Sequence, residues 1–351
     1  NRGGERGAPR ALLAPVPEVE DPVDAMRRLQ LGPAGGGDAI LPTGTPTHPR
    51  DLINADLNAI RAYVGLDLEH SVKSGFRWLG EAQPGGWRAG PGREEVHQDF
   101  LSYQRNQKWR KVANRRVLVL RPVGPWPADR RHLIGPITKY LMLFFQRPVR
   151  WEDPVALPPR YRLNFDGAAE HLQYAVGPIL DRLHKRVPDD ALAVVGITHV
   201  DLYPAPNWGF VFGMADLEDR VAVVSTSRLY PKFWGQEATP KRLQKAQLRL
   251  LRVLAHEVSH TLGLHHCHAF RCNLNGCNSL AEHDRAPSHL CPACMAKLAW
   301  RLDLRVRARY GGLAHLFHKL GYPTEASWYR KQLLRLSPLP PAQSSSAAQT
   351  R

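Results

Sequence analysis

Residues 256–267 read HEVSHTLGLHHC, and the interpretation of the whole 351-residue chain starts from them. His256 and His260 are spaced so that, on an α-helix, their imidazoles lie on the same face and can bind one metal ion. Glu257 follows the first histidine and is a candidate general base rather than a ligand. The stretch therefore predicts a helix that offers two ligands and a base to one ion.

The end of this stretch supplies a third candidate ligand. Gly263 can adopt a positive φ and end the helix, so that the chain turns back and delivers His266 from outside the helix. Three protein ligands leave the fourth position open for water, which is typical of catalytic rather than structural zinc. His265 is the competing third ligand, one residue out of register. The pattern predicts hydrolysis of a peptide bond by zinc-activated water.

All five cysteines of the chain lie in one short region behind this stretch. Cys267 and Cys272 form C-x4-C, and Cys291 and Cys294 form C-x2-C. Two close pairs joined by a loop are the layout of a four-cysteine zinc site. Disulfides are the alternative, but an odd number of crowded cysteines fits a metal site better. Cys277 is the spare thiol, which could replace a neighbour as ligand.

The two predicted zinc sites share a loop. A segment ordered by the second zinc would hold His266 in place, because metal binding and local folding are coupled. His268, His283 and His289 lie in the same region and remain open as alternative ligands. The sequence therefore predicts two Zn²⁺ ions per chain, one catalytic and one structural.

Strands and helices alternate in the middle of the chain. Residues 191–198 form the clearest strand, apolar on both faces as in a buried central position. We also predict strands over 210–212 and 221–225; the second is either an edge strand that lines the substrate cleft or an interior strand of the sheet. Thr239 and Pro240 are placed to cap and open the helix that carries the histidines. This alternation favours a mixed α/β sheet packed on helices.

The histidine stretch and the cysteine spacing together resemble the archaemetzincin family of zinc metallopeptidases. The likeness extends upstream and downstream and covers residues 117–310. It implies a metzincin-like mixed β-sheet with an active-site helix, followed by a four-cysteine zinc loop and further helices. It also implies that the three histidines bind catalytic zinc, that Glu257 is the base, and that the activity is aminopeptidase-like.

One residue departs from the family pattern. Metzincins place a methionine in a turn beneath the catalytic zinc, and here that position is Leu274. Leucine is apolar and of similar volume, so it can pack there at a modest cost. We expect zinc binding to survive this change, whereas full activity is the property at risk.

The chain is strongly basic, with a net charge of +16. Basic residues cluster over 105–111 and 301–309, and such clusters can neutralise nucleic-acid phosphates. The alternative function is therefore a zinc-stabilised, catalytically weak protein that binds nucleic acid or an acidic partner. We favour a solvated basic surface and a peptide or protein substrate. A positively charged surface would also favour the binding of acidic peptides.

Composition divides the chain into four segments. Residues 1–50 are rich in glycine, proline and alanine and are expected to be disordered, as is the tail over 337–351. Residues 51–116 form a helical or irregular extension, and 117–336 form the zinc-peptidase domain. No run of about eighteen apolar residues occurs, so no membrane span is expected. The visible N-terminus lacks a signal-peptide core, and with metal-spaced cysteines this favours the cytoplasm or nucleus.

Overall fold

The computed structural model describes residues 56–66, 76–80, 87, 97–106, 114–167 and 170–336. Both segments expected to be disordered, 1–50 and 337–351, lie outside the described residues. Within the described residues the chain is a mixed α/β structure, as the alternation of strands and helices predicts. Two sheets pack with helices from both ends of the described chain, and a cluster of four cysteines follows the longest helix.

The strands form two sheets. They are β1 (Val117–Pro122), β2 (Val149–Trp151), β3 (Tyr161–Asn164), β4 (His171–Ala175), β5 (Ala191–Thr198), β6 (Asp201–Tyr203), β7 (Gly213–Asp216) and β8 (Val221–Ser225). The larger sheet has the order β2-β1-β5-β8-β7, in which only β7 is antiparallel to its neighbour. The smaller sheet has the order β3-β4-β6, with β3 antiparallel to β4.

Strand β5 is the centre of the larger sheet, and all eight of its residues are buried. It pairs with β1 on one side and β8 on the other. Val195 contributes to one apolar cluster and Val194 to the other, so both faces of the strand are covered. The buried central strand predicted over residues 191–198 is therefore confirmed with the same bounds.

The helices surround the two sheets. They are α1 (Leu57–Val64), α2 (Phe100–Arg105), α3 (Ile134–Phe145), α4 (Val176–His184), α5 (Pro240–Thr261), α6 (Leu280–Arg285), α7 (Pro292–Leu302), α8 (Val306–Lys319) and α9 (Pro323–Leu333). Short 3-10 helices span Ala128–Leu133 and Pro231–Trp234. None of the described helices is both long and apolar enough to cross a membrane.

Helix α5 carries the histidine stretch and crosses the larger sheet at β7, β8 and β5. Its start follows the prediction: the Thr239 hydroxyl accepts a hydrogen bond from the Arg242 amide (3.4 Å), and Pro240 is the first helical residue. Proline at this position loses no hydrogen bond, because the first amides of a helix have no partner within it. The second half of the helix is buried almost throughout, which makes it a rigid support for two ligands.

One strand prediction is wrong, and for a second strand the interior alternative is correct. Residues 210–212 form no strand; Val211 makes a single bridge to Leu202, and β7 begins only at Gly213. Residues 221–225 do form a strand, β8, but it lies between β5 and β7 and is not the edge of the sheet. All of β8 is buried, and a continuous apolar run is typical of an interior strand. The edge strand on this side is β7.

Candidate metal centre and active site

The three predicted histidine ligands lie together at the end of α5. The ring centroids of His256 and His260 are 4.5 Å apart, and those of His266 lie 5.3 Å and 4.9 Å from them. One ring nitrogen from each histidine lies within 4.8 Å of the other two. A single ion between the rings can therefore contact all three.

Hydrogen bonds to backbone carbonyls orient the two helical histidines. His256 Nδ1 lies 2.8 Å from the Asn273 oxygen, and His260 Nδ1 lies 2.6 Å from the Leu264 oxygen. A carbonyl only accepts, so Nδ1 carries the proton in each neutral ring and Nε2 carries the lone pair that can bind a metal. The two Nε2 atoms face each other at 2.9 Å, where their lone pairs repel unless a cation lies near both. This donor set fits Zn²⁺.

Gly263 turns the chain from the helix towards the third histidine. Its φ is +86°, a conformation that glycine adopts without strain. The Gly263 amide donates to the His260 oxygen (2.8 Å), and the Leu264 amide donates to the Ser259 oxygen (3.2 Å). Because the Leu264 oxygen in turn accepts from the His260 ring, this turn ends the helix and orients a ligand.

Glu257 lies on the same helix and is 6% exposed. Burial raises the pKa of this carboxyl to about 8 in the absence of a metal ion, and a cation held by the neighbouring histidines would lower it and favour the carboxylate. Gly213, the first residue of β7, lies so close that an added Cβ would be 2.8 Å from the carboxylate Oε1. The sequence does not reveal this neighbour, because glycine occurs in strands for several structural reasons. Here the missing side chain lets the backbone of β7 pass beside the carboxylate.

A turn at Asn273 and Leu274 lies against the first histidine. Besides accepting from His256, Asn273 donates through its side chain to the Arg252 oxygen of α5 (3.2 Å). Leu274 is fully buried, and its oxygen accepts from the Cys267 amide (2.8 Å). Leucine therefore fills the position at which the family pattern has methionine, and it packs in the apolar core.

The four predicted cysteine ligands also lie together, in a second buried cluster. The sulfurs of Cys267 and Cys291 are 3.7 Å apart, and the Cys291 amide donates to the Cys272 sulfur at 3.2 Å. The Cys294 amide donates to the Cys291 sulfur at 3.4 Å, an arrangement that stabilises thiolate. Four convergent sulfurs with backbone donors match a tetrahedral zinc site. None of the five cysteines is in a disulfide.

Asn275 holds the loop between the first two cysteines, a role that the sequence analysis did not assign. Its Oδ1 accepts from the Cys272 amide (2.7 Å), and its Nδ2 donates to the oxygens of Cys267 (2.7 Å) and Phe270 (2.9 Å). The Asn275-Gly276 dipeptide is a turn signal that could have indicated it. Cys277 follows but does not belong to the cluster, and burial raises the pKa of its thiol to about 12.

The alternative histidine ligands lie elsewhere. His268 packs beside Trp87, and the ring of His289 stacks on Trp328 at 3.5 Å. His283 is buried against Phe212. In the part of the chain that the structure describes, none of them joins either cluster of potential ligands, and neither does His265.

A further cluster of Asp166, His171 and Asp201 lies in the smaller sheet and was not predicted. Arg228 is 2% exposed and donates to both aspartates, with distances of 2.7–2.8 Å. The guanidinium already supplies a buried cation to both carboxylates, so we interpret the cluster as an ion-pair network that braces the sheet rather than as a cation site.

Comparison with known proteins places these residues in a family. Residues 161–300 match the model of Peptidase family M54. The chain is 32% identical over 248 residues to Archaemetzincin-2 of Pongo abelii, covering 62% of this chain and 69% of that protein. It is 32% identical over 192 residues to the Archaemetzincin of Thermococcus kodakarensis, covering 54% of this chain and 98% of that protein.

A solved structure is also similar. The crystal structure of the archaemetzincin from Methanopyrus kandleri is 28% identical to this chain, covers 55% of it and 98% of its own chain, and has a TM-score of 0.44.

Proposed function

This chain belongs to the archaemetzincin family and is a zinc-dependent metallopeptidase, and on that premise we propose that it cleaves peptide bonds with Glu257 as its general base. The observation that carries the proposal is the convergence of His256, His260 and His266 beside a buried carboxylate on the same helix. Each element of this constellation has a separate chemical task.

The three histidines would hold the catalytic ion. When bound, Zn²⁺ supplies a Lewis acid that polarises the scissile carbonyl and makes water a better nucleophile. Glu257 accepts a proton at a carboxylate oxygen from the attacking water and donates it to the leaving amine. The low exposure of Glu257 supports this role, because bulk water then competes little for the carboxylate.

We propose that an extended peptide substrate pairs with β7 rather than with β8. Strand β7 is the edge of the larger sheet and has no second strand partner among the described residues. It starts at Gly213, beside Glu257, so a peptide that adds to this edge runs towards the carboxylate. The action on such a peptide would be aminopeptidase-like, and a peptide with an acetylated N-terminus would then be a poor substrate.

A second Zn²⁺ would be held by Cys267, Cys272, Cys291 and Cys294, which gives two ions per chain. Four protein ligands leave no open position, so this ion would be structural. Its effect on the active site is direct, since Cys267 follows His266 in the chain. Fixing the cysteine therefore limits where the third imidazole can go.

The alternative, a zinc-stabilised protein that binds nucleic acid, rests on the net charge. Part of that charge is used inside the protein. Arg309 is 1% exposed and donates to the Phe144 oxygen (2.7 Å), whereas Arg307, which donates to the Leu336 oxygen (2.5 Å), remains exposed. Residues 107–111 of the other basic cluster lie outside the described residues.

One experiment tests the proposal. Glu257→Ala should abolish hydrolysis of a fluorogenic peptide while the zinc content equals that of the wild type, and a chelator should stop the wild-type reaction. Glu257→Gln is the matched control for volume and should be equally inactive. Turnover retained in either variant would remove Glu257 from the mechanism. Wild-type protein that binds nucleic acid in a salt-dependent manner and cleaves no peptide would favour the alternative.

A further inference from the structure

The loop that carries the third histidine contacts a part of the chain that lies outside residues 161–300, the range that matches the family model. We name residues 262–271 the ligand loop. Trp78 forms an antiparallel bridge with Phe270, and their rings stack with centroids 4.2 Å apart. The Leu79 amide donates to the Ala269 oxygen (2.9 Å). A segment more than 150 positions earlier in the sequence is thus attached to the ligand loop.

Gln98 makes the contact nearest to the turn. Its Nε2 donates to the Gly263 oxygen (3.0 Å), and its Oε1 accepts from the His265 amide (3.3 Å). The side chain is 8% exposed; its hydrogen bond to Gly263 is buried, and the one from His265 is partly buried. The amide therefore spans the turn between the last helical residues and His266, and satisfies groups that the end of a helix leaves without a partner.

One neighbour holds Gln98 itself, and a second holds the turn that Gln98 contacts. Its backbone oxygen accepts from the ammonium of Lys297, which is 3% exposed on α7, the helix that also carries Cys294. The Tyr103 hydroxyl donates to the Leu262 oxygen at 2.8 Å, one residue before the carbonyl that Gln98 contacts. Gln98 is thus fixed at its backbone by the cysteine-bearing helix and at its side chain by the ligand loop.

Trp87 covers the third histidine from the same side. Its ring centroid is 5.2 Å from that of His266, and the side chain is 5% exposed. The Trp87 amide donates to Glu282 Oε1 (3.2 Å), and a Cβ on Gly276 would lie 2.8 Å from the indole. The indole is therefore wedged between the cysteine loop and the imidazole.

We propose that Gln98 is a positioning residue for the catalytic metal site, acting through the turn that delivers His266. The helix fixes His256 and His260, but His266 depends on the ligand loop for its position. Removing the Gln98 amide takes away both hydrogen bonds that hold the turn, one at the buried Gly263 oxygen and one at the half-buried His265 amide. The turn is then free to open, and the third imidazole leaves the other two. This inference rests on the proposed function.

Gln98→Met removes both hydrogen bonds and keeps the volume of the side chain. We expect Zn²⁺ affinity at the histidine site to fall about 10–100-fold, as for other residues that orient metal ligands. Affinity at the cysteine site should fall much less, because the side-chain hydrogen bonds of Gln98 go to the turn and not to the four cysteines. Co²⁺ is a suitable second probe, because an all-thiolate site gives intense charge-transfer absorption and a histidine site does not. Competition with a chelator, followed by metal analysis of the full chain, measures both sites.

Gln98→Glu tests the hydrogen bonds themselves. A protonated carboxyl can donate to the Gly263 oxygen and accept from the His265 amide, whereas a carboxylate can only accept. Relative to Gln98→Met at the same pH, this variant should regain affinity as the pH falls and the carboxyl is protonated. A merely structural role would not produce this dependence. If Gln98→Met does not fold, the comparison of Gln98→Glu with wild type across pH carries the test.

Gln173→Met is the matched control. Gln173 is a fully buried glutamine of β4 whose amide donates to the oxygens of Leu202 and Gly209, far from the ligand loop in the chain. It should lower stability without changing metal affinity. The inference is overturned if Gln98→Met keeps wild-type affinity at the histidine site. If the wild type itself binds no Zn²⁺ at the histidines, the proposed metal site is wrong, and Gln98 then positions nothing.

Discussion

Gly213 on β7 and Glu257 on α5 are in such close contact that a methyl group on Gly213 would lie 2.7 Å from the Glu257 Cγ. Real Cβ atoms do not approach other atoms this closely, so either the carboxylate or the strand would have to move. The β7 backbone also cannot retreat freely, since its pairing with β8 places the Val223 oxygen 2.9 Å from the same point.

We expect Gly213→Ala to lower kcat about 100-fold, because a displacement of about 1 Å of a catalytic group can have that effect. Zinc content should equal that of the wild type, since none of the three atoms nearest to the added methyl group belongs to a histidine. Steady-state kinetics with metal analysis measures both. Gly177→Ala is the control: a Cβ there meets nothing within 4 Å, and activity should be unchanged. A wild-type kcat in Gly213→Ala would show that Glu257 tolerates the shift.

Leu274→Met restores the methionine that the family pattern has at this position. The two side chains have similar volumes, so the free energy of unfolding should change by less than about 1.5 kcal/mol. Zinc content should be unchanged, and kcat should rise if the thioether matters to the site. Leu274→Ala, by contrast, opens a cavity in the apolar core and should cost about 2–5 kcal/mol. Denaturant unfolding and steady-state kinetics provide the readouts; equal stability of the two variants would contradict this packing.

Asn275→Ala should release zinc from the cysteine cluster. The substitution removes three hydrogen bonds and leaves buried groups of Cys267 and Cys272 without partners, at a cost of about 1–3 kcal/mol each. The measurement is zinc bound per chain after dialysis against a weak chelator. Cys277→Ser, a change in the same loop but outside the cluster, should retain the wild-type amount. Zinc loss in that control would instead make Cys277 a ligand.

His283 should make the protein sensitive to acid. Burial, and then the nearby Arg252 guanidinium, lowers the pKa of His283 from 6.5 to about 3. The unfolded chain therefore binds a proton between these values that the folded chain does not. The stability that the neutral ring contributes is present above pH 6.5 and is lost as the pH falls towards 3, by about 1.4 kcal/mol per pH unit.

His283→Phe keeps an aromatic ring beside Phe212 and removes the titration. Its free energy of unfolding should therefore fall less steeply than that of the wild type as the pH drops below 6.5. Denaturant unfolding at several pH values gives the two slopes. His318→Gln, at an exposed position on α8, should keep the wild-type slope. Parallel slopes for His283→Phe and wild type would mean that His283 is protonated in the folded protein.

The features that the sequence predicts correctly are local ones. The buried strand β5 follows from its apolar run, and the start of α5 follows from Thr239 and Pro240. The spacing of His256 and His260 places both on one helix face whatever the rest of the fold does. Local spacing carries this information because periodicity within one element is set by its own backbone geometry.

The features that the sequence does not reveal depend on distant residues. The edge position of β7 depends on the order of strands in the sheet, and the position of Gly213 beside Glu257 depends on how α5 crosses it. Similarly, Gln98 is a single polar residue in an irregular segment, and only the folded chain places its amide against Gly263. No periodic pattern in one sequence encodes such pairings.

The peptide bond between His266 and Cys267 joins the two candidate metal centres. The first ion to bind, at either site, orders this short segment, which thereby loses its conformational entropy. The second ion then binds to a loop that is already ordered. Thermodynamic reciprocity then requires each ion to tighten the binding of the other by the same factor. When zinc is scarce, chains should therefore be either doubly loaded or empty, with few half-loaded molecules.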